Sequence, residues 1–114
     1  MPAPSSAPVV LVHGGAHGAW CWDRLLPYLD GGALAVDLPP KSVRGGPRRL
    51  EAVPELRTLT VADFADSVLR DVDAAGFERF VLVGHSMGGL TISEVAGRVP
   101  DRVEHLVYVS CMVP

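Results

Sequence analysis

Gly84-His85-Ser86-Met87-Gly88 is the stretch of sequence that decides the fold. The run before it, Phe80-Val81-Leu82-Val83, is short, apolar and partly β-branched, which is typical of a buried parallel strand. The residues that follow it, 89–99, have apolar positions at helical spacing and stop before Pro100. A serine in a G-x-S-x-G turn between strand and helix points its hydroxyl out of the sheet. The pattern therefore predicts Ser86 as a nucleophile, with a structural Gly/Ser turn as the alternative.

A second strand pattern, Pro8-Val9-Val10-Leu11-Val12, runs into a loop of small residues that begins His13-Gly14-Gly15. Ester cleavage needs hydrogen-bond donors aimed at the oxyanion of the transition state, and backbone N–H groups can supply them. A loop with so few side chains lets its backbone approach a substrate oxygen. The loop is therefore a candidate oxyanion loop, although a Gly-rich turn between a strand and a helix gives the same pattern.

Together the two segments resemble the α/β-hydrolase superfamily, and within it the small esterases grouped with plant methylesterases and hydroxynitrile lyases. The H-G-x-x-H-G-A-W-x-W loop of that group is matched from His13 to Trp22. Its D-L-P sequence is matched at Asp37-Leu38-Pro39, and its nucleophile turn at Gly84–Gly89. The lyases of the group place a threonine after the loop histidine, where this chain has Gly14, and that difference favours ester hydrolysis.

The resemblance implies a role for each matched residue. Ser86 would be the catalytic nucleophile, and the N–H groups of Gly15 and Met87 would form the oxyanion hole. Five further residues of the two motifs are candidates for the substrate pocket: His13, Gly14, His17, Trp20 and His85.

A serine hydrolase of this kind also needs an acid and a histidine after the serine in the chain. The acids after Ser86 are Glu94, Asp101 and Glu104, and the histidine is His105. Glu94 is predicted on the helix after Ser86, and Asp101 just past the end of that helix. Glu104 and His105 are predicted at the start of a strand whose far end lies near Ser86. The sequence therefore predicts that the acid and the histidine of the triad are missing from this chain, which leaves Ser86 a poor nucleophile.

Strand and helix patterns alternate along the chain, which indicates an α/β fold with a parallel sheet and right-handed crossovers. Mapped on the family fold, the spatial order is second strand, first, third, fourth. We predict a sheet of about four strands with crossover helices, a truncated α/β-hydrolase fold.

Residues 1–7 are predicted to be a flexible leader and residues 8–114 the N-terminal portion of the hydrolase domain. The predicted elements are strands at Val9–Val12, Ala33–Val36, Phe80–Val83 and Val103–Val109, helices at Trp20–Leu29, from Thr60 to Gly76 and after Ser86, and a long basic connection from Pro39 to Leu59.

Composition excludes several classes of function. The chain has 114 residues, 48% hydrophobic and 20% charged, with a net charge of −3, and this balance gives no reason to expect nucleic acid. The sequence shows no membrane-spanning run and no secretory signal. It also shows no phosphate-binding loop and no dinucleotide-binding motif, so no cofactor is expected. His13 and His17 lack further ligands, so no metal is expected. Two cysteines, Cys21 and Cys111, are expected to be free thiols in a cytoplasmic protein.

Two classes of function remain open. The first is a carboxylic ester hydrolase that acts on a small-molecule ester through an acyl-Ser86 intermediate. The second is a non-catalytic remnant or binding module of the same fold. The strand around Leu106–Val109 is predicted to have an exposed apolar edge, so we also expect self-association or a complementing C-terminal chain.

Overall fold

The predicted parallel sheet is confirmed. The computed structural model describes residues 7–39 and 59–114, so the predicted leader and the basic connection fall almost wholly outside the described residues. Within them, four parallel strands lie in the order β2-β1-β3-β4. Their bounds are β1 Val9–Val12, β2 Ala33–Ala35, β3 Phe80–His85 and β4 Val103–Val109. The α-helices in the same ranges are α1, Val61–Ala75, and α2, Gly88–Arg98.

Strand register brings the two predicted motifs together. On neighbouring strands, Val9 pairs with Val81 and Val12 pairs with Gly84. Because the strands are parallel, β1 and β3 end at the same edge of the sheet, where ligands bind in open α/β sheets. The loop that begins at His13 and the turn at Ser86 are therefore side by side.

Helix α1 begins and ends as the sequence predicts. The Thr60 hydroxyl accepts a hydrogen bond from the Asp63 N–H, and the Asp63 carboxylate accepts one from the Thr60 N–H, which forms a capping box. The helix ends at Gly76, whose φ of 77° is in the left-handed region that glycine tolerates. Its inward stripe includes Val68 and Val72, both fully buried. Burial of each such side chain contributes about 1.5–3 kcal/mol relative to exposure.

Within the described residues, α1 and α2 cover one face of the sheet, and the side chains of β3 on the other face are half-buried. Along β3, the buried side chains alternate with half-buried ones. The buried set packs under the two helices into one apolar core that comprises Val10, Val12, Val36, Leu38, Ala65, Val68, Val72, Phe80, Leu82, Ile92 and Val95. Arg98 of α2 joins the helices, since it pairs with Asp66 and donates to the Ala62 carbonyl of α1. The Asp66 carboxylate, followed by that of Glu94, raises the pKa of the Arg98 guanidinium.

The predicted helix at Trp20–Leu29 is wrong. The structure has two short 3₁₀ turns there, Ala19–Trp22 and Leu26–Tyr28. Pro27 explains the difference, because proline has no N–H to donate and its ring clashes with the carbonyl four residues earlier. Two further bounds shift slightly: β2 ends at Ala35 rather than Val36, and β3 extends to His85.

Arg102 fixes the beginning of β3 against the end of α1. Its guanidinium donates to the Phe77 and Glu78 carbonyls at 2.6 and 2.9 Å and contacts the Asp73 carboxylate at 3.0 Å. It also lies over the ring of Phe80, 5.5 Å from the centroid. Carbonyls that follow a helix end need such donors, since the helix itself supplies none for them.

Strand β4 exposes apolar side chains at the sheet edge, and this generates a prediction about association. Leu106, Val107, Tyr108 and Val109 are 37–43% exposed, and no described residue pairs with the outer edge of β4. Exposed apolar edges recruit other strands. We expect the purified chain to self-associate or aggregate, as measured by light scattering, and expect Val107→Lys to reduce the effect. A stable wild-type monomer with a cooperative melt would contradict this prediction.

Candidate functional site

Ser86 lies on a sharp turn between β3 and α2. Its φ is 56°, in the left-handed region that serine rarely adopts. Backbone hydrogen bonds hold it there: the Ser86 N–H donates to the Val109 carbonyl at 3.2 Å, and the Ser86 carbonyl accepts from Gly89 and Met112, each at 3.1 Å. A strained residue fixed by its surroundings is a frequent mark of a functional site.

The two glycines of the turn let α2 sit directly on the end of β1. A Cβ on Gly88 would lie 2.6 Å from the Val12 carbonyl oxygen and 2.9 Å from that of His13. A Cβ on Gly84 would lie 2.9 Å from the Gly88 carbonyl oxygen. These neighbours are backbone atoms and cannot rotate away. The G-x-S-x-G spacing is therefore a packing requirement at this site.

The His13-Gly14-Gly15 loop contacts the serine turn. A Cβ on Gly14 would lie 3.0 Å from the Ser86 Cβ, and a Cβ on Gly15 would lie 2.9 Å from the Met87 sulfur. The loop and the turn share a cavity of about 380 Å³, within the size range of small-molecule sites. It is lined by His13, Gly14, Gly15, Ala16, Leu38, Val61, Phe64, Ser86, Met87, Gly88, Leu90 and Thr91.

The predicted pocket residues divide into two groups. His13 and Gly14 line the cavity with Ser86 and the predicted oxyanion residues Gly15 and Met87. The other group, His17, Trp20 and His85, forms an aromatic cluster beside the loop. The His17 ring stacks on Trp20 at 5.7 Å, meets His85 edge-on at 5.9 Å, and donates from Nδ1 to the Gly15 carbonyl at 2.8 Å. This cluster therefore supports the loop from outside the cavity lining.

Seven lining residues were missed from the sequence: Ala16 and Gly88, which lie within the two motifs, and five that lie outside them. Val61 and Phe64 belong to the amphipathic stripe of α1, Leu90 and Thr91 belong to α2, and Leu38 follows β2. An apolar stripe indicates that residues are buried, but it does not distinguish a core position from a cavity wall. Of the five residues outside the two motifs, Leu38 alone had a sequence signal, from the D-L-P match.

The loop after β2 is tied to the oxyanion loop. The Asp37 carboxylate accepts a hydrogen bond from the Ala19 N–H at 3.0 Å, and the Leu38 N–H donates to His13 Nε2 at 2.9 Å. The Nε1 atoms of Trp20 and Trp22 are buried without a hydrogen-bond partner among residues 7–39 and 59–114.

The ionisable residues that follow Ser86 in the chain lie away from it. His105 pairs with Val81 in the sheet register, so about 16 Å of strand separates it from the level of Ser86 at about 3.3 Å per residue. Glu104, next to it, pairs with Arg79. Glu94 pairs with Arg98 near the far end of α2. No side chain of the described ranges hydrogen-bonds to the Ser86 hydroxyl, and no described group of three His, Cys, Asp or Glu residues could hold a metal ion.

Both cysteines are free thiols. Burial, and then the nearby Asp23 carboxylate, raise the pKa of Cys21, which makes its thiolate scarce at neutral pH. The Cys111 thiol donates to the Gly84 carbonyl at 2.9 Å beneath the serine turn.

Comparison with known proteins identifies the family. Residues 9–114 match the model of the alpha/beta hydrolase family. The chain belongs to this family. Methylesterase 9 of Arabidopsis thaliana is 34% identical over 106 residues, 92% of this chain and 40% of that protein. Methyl jasmonate esterase 1 of Vitis vinifera is 34% identical over 110 residues, again 92% of this chain and 39% of the relative.

The fold of this alpha/beta hydrolase chain is also that of a solved relative. The crystal structure of polyneuridine aldehyde esterase superimposes with a TM-score of 0.70 at 34% identity, over 95% of this chain and 41% of that one. The chain therefore spans about two fifths of the length of the relatives it matches, and it is a fragment of their fold. In its described ranges, no helix combines the length and apolar character needed to cross a membrane.

Two glycines on α2 test the packing of the serine turn. Gly88→Ala should destabilise the chain by about 1–3 kcal/mol, because its Cβ has only backbone to displace. Gly97→Ala is the matched control: its Cβ meets nothing within 4 Å, so alanine should stabilise the helix by about 0.5–1 kcal/mol. Thermal or denaturant unfolding measures both. Equal effects of the two substitutions would show that the turn does not depend on Gly88.

Proposed function

We propose that this hydrolase fragment carries the nucleophile half of a carboxylic ester hydrolase, with Ser86 as the attacking residue. The observation that carries the proposal is the strained Ser86 turn, with φ 56°, which opens into the same cavity as the Gly15 and Met87 backbone. The family match and the esterases among its relatives support this function.

The proposed reaction has two steps. The Ser86 Oγ attacks the ester carbonyl carbon, its proton passes to the departing alkoxide, and an acyl-Ser86 ester and a free alcohol result. Water then attacks the acyl carbon, which releases the carboxylic acid and restores the Ser86 hydroxyl. In both steps the carbonyl oxygen becomes an oxyanion, for which the N–H groups of Gly15 and Met87 are the proposed donors. Met87 immediately precedes α2, so its N–H and the dipole of that helix favour negative charge at the same point.

Proton transfer needs a base that the described residues do not place at Ser86. In this proposal the base and its acid partner come from a complementing C-terminal segment, which would dock at β4. The bond between the Ser86 N–H and the Val109 carbonyl already connects the serine turn to the end of that strand. A segment that extends the sheet past β4 would therefore bring its own loops to the edge where Ser86 lies.

The cavity favours a small ester with an apolar group. Its side-chain walls are mainly Leu38, Val61, Phe64 and Leu90, and the described lining contains no Asp, Glu, Lys or Arg. Transfer of an ionised group into such surroundings without a partner is unfavourable. Two relatives, a methylesterase and a methyl jasmonate esterase, have names that agree with a small ester as the substrate class.

A non-catalytic binding module is the second candidate. The observation that favours it is the Ser86 hydroxyl itself, to which no described side chain is hydrogen-bonded. The cavity would then hold a small apolar ligand with no acyl transfer. Covalent reactivity of Ser86 distinguishes the two candidates.

Labelling with a fluorophosphonate tests the proposed function. The Ser86 oxygen should displace fluoride from phosphorus, and peptide mass spectrometry should find the adduct on Ser86. Ser86→Ala should abolish the labelling. Ser93→Ala is the control, because its hydroxyl bonds to the Gly89 carbonyl of the same helix and to Tyr108 of β4, and it does not line the cavity. Because no described base activates Ser86, labelling of the chain by itself should be slow and is followed over a long incubation. An adduct that persists in Ser86→Ala would overturn Ser86 as the attacking residue, and a wild-type chain that never forms an adduct would favour the non-catalytic module.

Gly15→Val tests the oxyanion role of the loop. The added side chain meets the Met87 sulfur and crowds the position of the substrate oxygen. We expect the barrier to acylation to rise by about 2–4 kcal/mol, the loss seen when one oxyanion donor is removed. The rate of fluorophosphonate labelling measures this, with melting temperature as a check on folding and Gly97→Val as the control. An unchanged rate would remove Gly15 from the mechanism.

A further inference from the structure

The side chain of Met87 lies at the proposed site, although the proposed mechanism uses only the Met87 backbone. Its thioether is 49% exposed and lines the same cavity as Ser86. Met112 is 52% exposed, but it does not line this cavity. The described residues therefore include two thioethers of similar accessibility, and only that of Met87 lines the cavity beside Ser86.

The Met87 sulfur packs closely against the loop that carries the other proposed oxyanion donor. A Cβ on Gly15 would lie 2.9 Å from the sulfur of Met87 and 3.9 Å from its Cγ. A further non-hydrogen atom between this sulfur and Gly15 therefore has no room unless the loop or the side chain moves. An oxygen atom added to the sulfur on the side that faces Gly15 meets this conflict.

An added oxygen also changes the chemistry of the cavity. A thioether is apolar and a weak acceptor, whereas a sulfoxide is polar and its oxygen accepts hydrogen bonds. The N–H groups of Gly15 and Met87 are the proposed donors to the oxyanion of the substrate. A sulfoxide oxygen at this place competes with the substrate for those donors. Displacement of the loop and occupation of its donors thus have the same effect, which is loss of the oxyanion site.

We propose that Met87 is a modification site, at which a small hydroperoxide oxidises the thioether to a sulfoxide and thereby blocks attack by Ser86. A lone pair of the sulfur attacks one peroxide oxygen, an S–O bond forms and the O–O bond breaks. The sulfur is oxidised and the peroxide is reduced. The proton of the transferred oxygen passes to the leaving oxygen, which departs as water or an alcohol. This inference rests on the proposed function, because it assigns regulation to the proposed acylation site.

The cavity can admit such an oxidant. Its volume of about 380 Å³ is far larger than the roughly 30 Å³ that a water molecule occupies in the liquid. Hydrogen peroxide is uncharged, so its entry into a mainly apolar cavity does not require burial of a charge. A thioether also has no proton to lose before it reacts, whereas a thiol reacts as its thiolate.

Oxidation of Cys111 has to be kept apart from oxidation of Met87. The Cys111 thiol donates to the Gly84 carbonyl at 2.9 Å, and a Cβ on Gly89 would lie 3.1 Å from its sulfur. A larger group on that sulfur would therefore disturb the serine turn as well. Peroxide treatment at about pH 5 suppresses the thiolate and leaves the thioethers reactive. Methionine sulfoxide reductases then identify the lesion, because they restore thioethers.

The experiment treats the wild-type chain, Met87→Leu and Met112→Leu with hydrogen peroxide at about pH 5. Both substitutions nearly conserve the volume of the side chain. After the peroxide is removed, fluorophosphonate labelling at neutral pH is compared with that of the same protein before treatment. Peptide mass spectrometry measures sulfoxide on each of the three methionines of the wild-type chain.

Labelling should slow by about 10–100-fold in the oxidised wild type and in oxidised Met112→Leu, the cost of a misplaced catalytic group. Met87→Leu should keep its own untreated rate. Methionine sulfoxide reductases should restore the rate in oxidised Met112→Leu, and dithiothreitol alone should not. This reversal tests the proposal without reference to how well Met87→Leu folds or labels.

The outcomes separate this inference from the proposed function. The inference is overturned by equal slowing in Met87→Leu, by undiminished labelling of chains whose Met87 is oxidised, or by a Met87 that stays reduced while Met112 is oxidised. A wild-type chain that never labels counts against the proposed function instead, and the ¹⁵N–¹H resonance of Gly15 then decides the inference. Oxidation should shift this resonance in the wild type and in Met112→Leu but not in Met87→Leu. A Gly15 resonance that stays unmoved when Met87 is oxidised refutes the inference.

Discussion

Direct backbone contact between the serine turn and the end of β1 is the constraint on which the site depends. Gly88 makes this contact possible, because any Cβ there would lie 2.6 Å from the Val12 carbonyl oxygen. With α2 seated so closely, the chain must turn sharply out of β3, and Ser86 takes the left-handed conformation with φ 56°. The same contact brings the backbone of Gly15 and Met87 to one cavity. The conformation of the Ser86 turn and its closeness to the His13-Gly14-Gly15 loop are therefore consequences of one packing arrangement.

Side chains distant from the cavity keep that arrangement in place. Arg98 joins the two helices over one face of the sheet, and Arg102 holds the end of α1 against the beginning of β3. At the site itself, His13 joins the loop after β1 to the chain after β2. Both of these hydrogen bonds of His13 are to backbone groups, the Gly14 carbonyl and the Leu38 N–H. Strand β4, by contrast, contributes exposed apolar residues and connects to the turn through the Val109 carbonyl.

Much of this fold follows from local patterns in the chain. Short apolar runs that alternate with helical spacing predicted all four described strands and both α-helices, and Thr60 and Gly76 marked the ends of α1. The wrong prediction of a helix at Trp20–Leu29 has a local cause as well. Pro27 disrupts a helix there more strongly than the apolar residues around it favour one. The residues of the cavity wall were harder to predict from the sequence. Phe64 has the same apolar character as the core residues of its helix, and only the packing of α1 against the sheet places it at the cavity.

The sequence by itself determined the strand–turn–helix at Ser86, the glycine positions that this turn requires, and the parallel α/β class. These depend on periodicity and on residues whose backbone freedom is intrinsic. Tertiary structure decided which groups meet. The packing of α1 against the sheet put Val61 and Phe64 at the cavity, and the path of the chain after β2 gave His13 its Leu38 partner. Such pairings join residues far apart in sequence, so no local pattern encodes them: they arise only when the strands are aligned and the helices are packed.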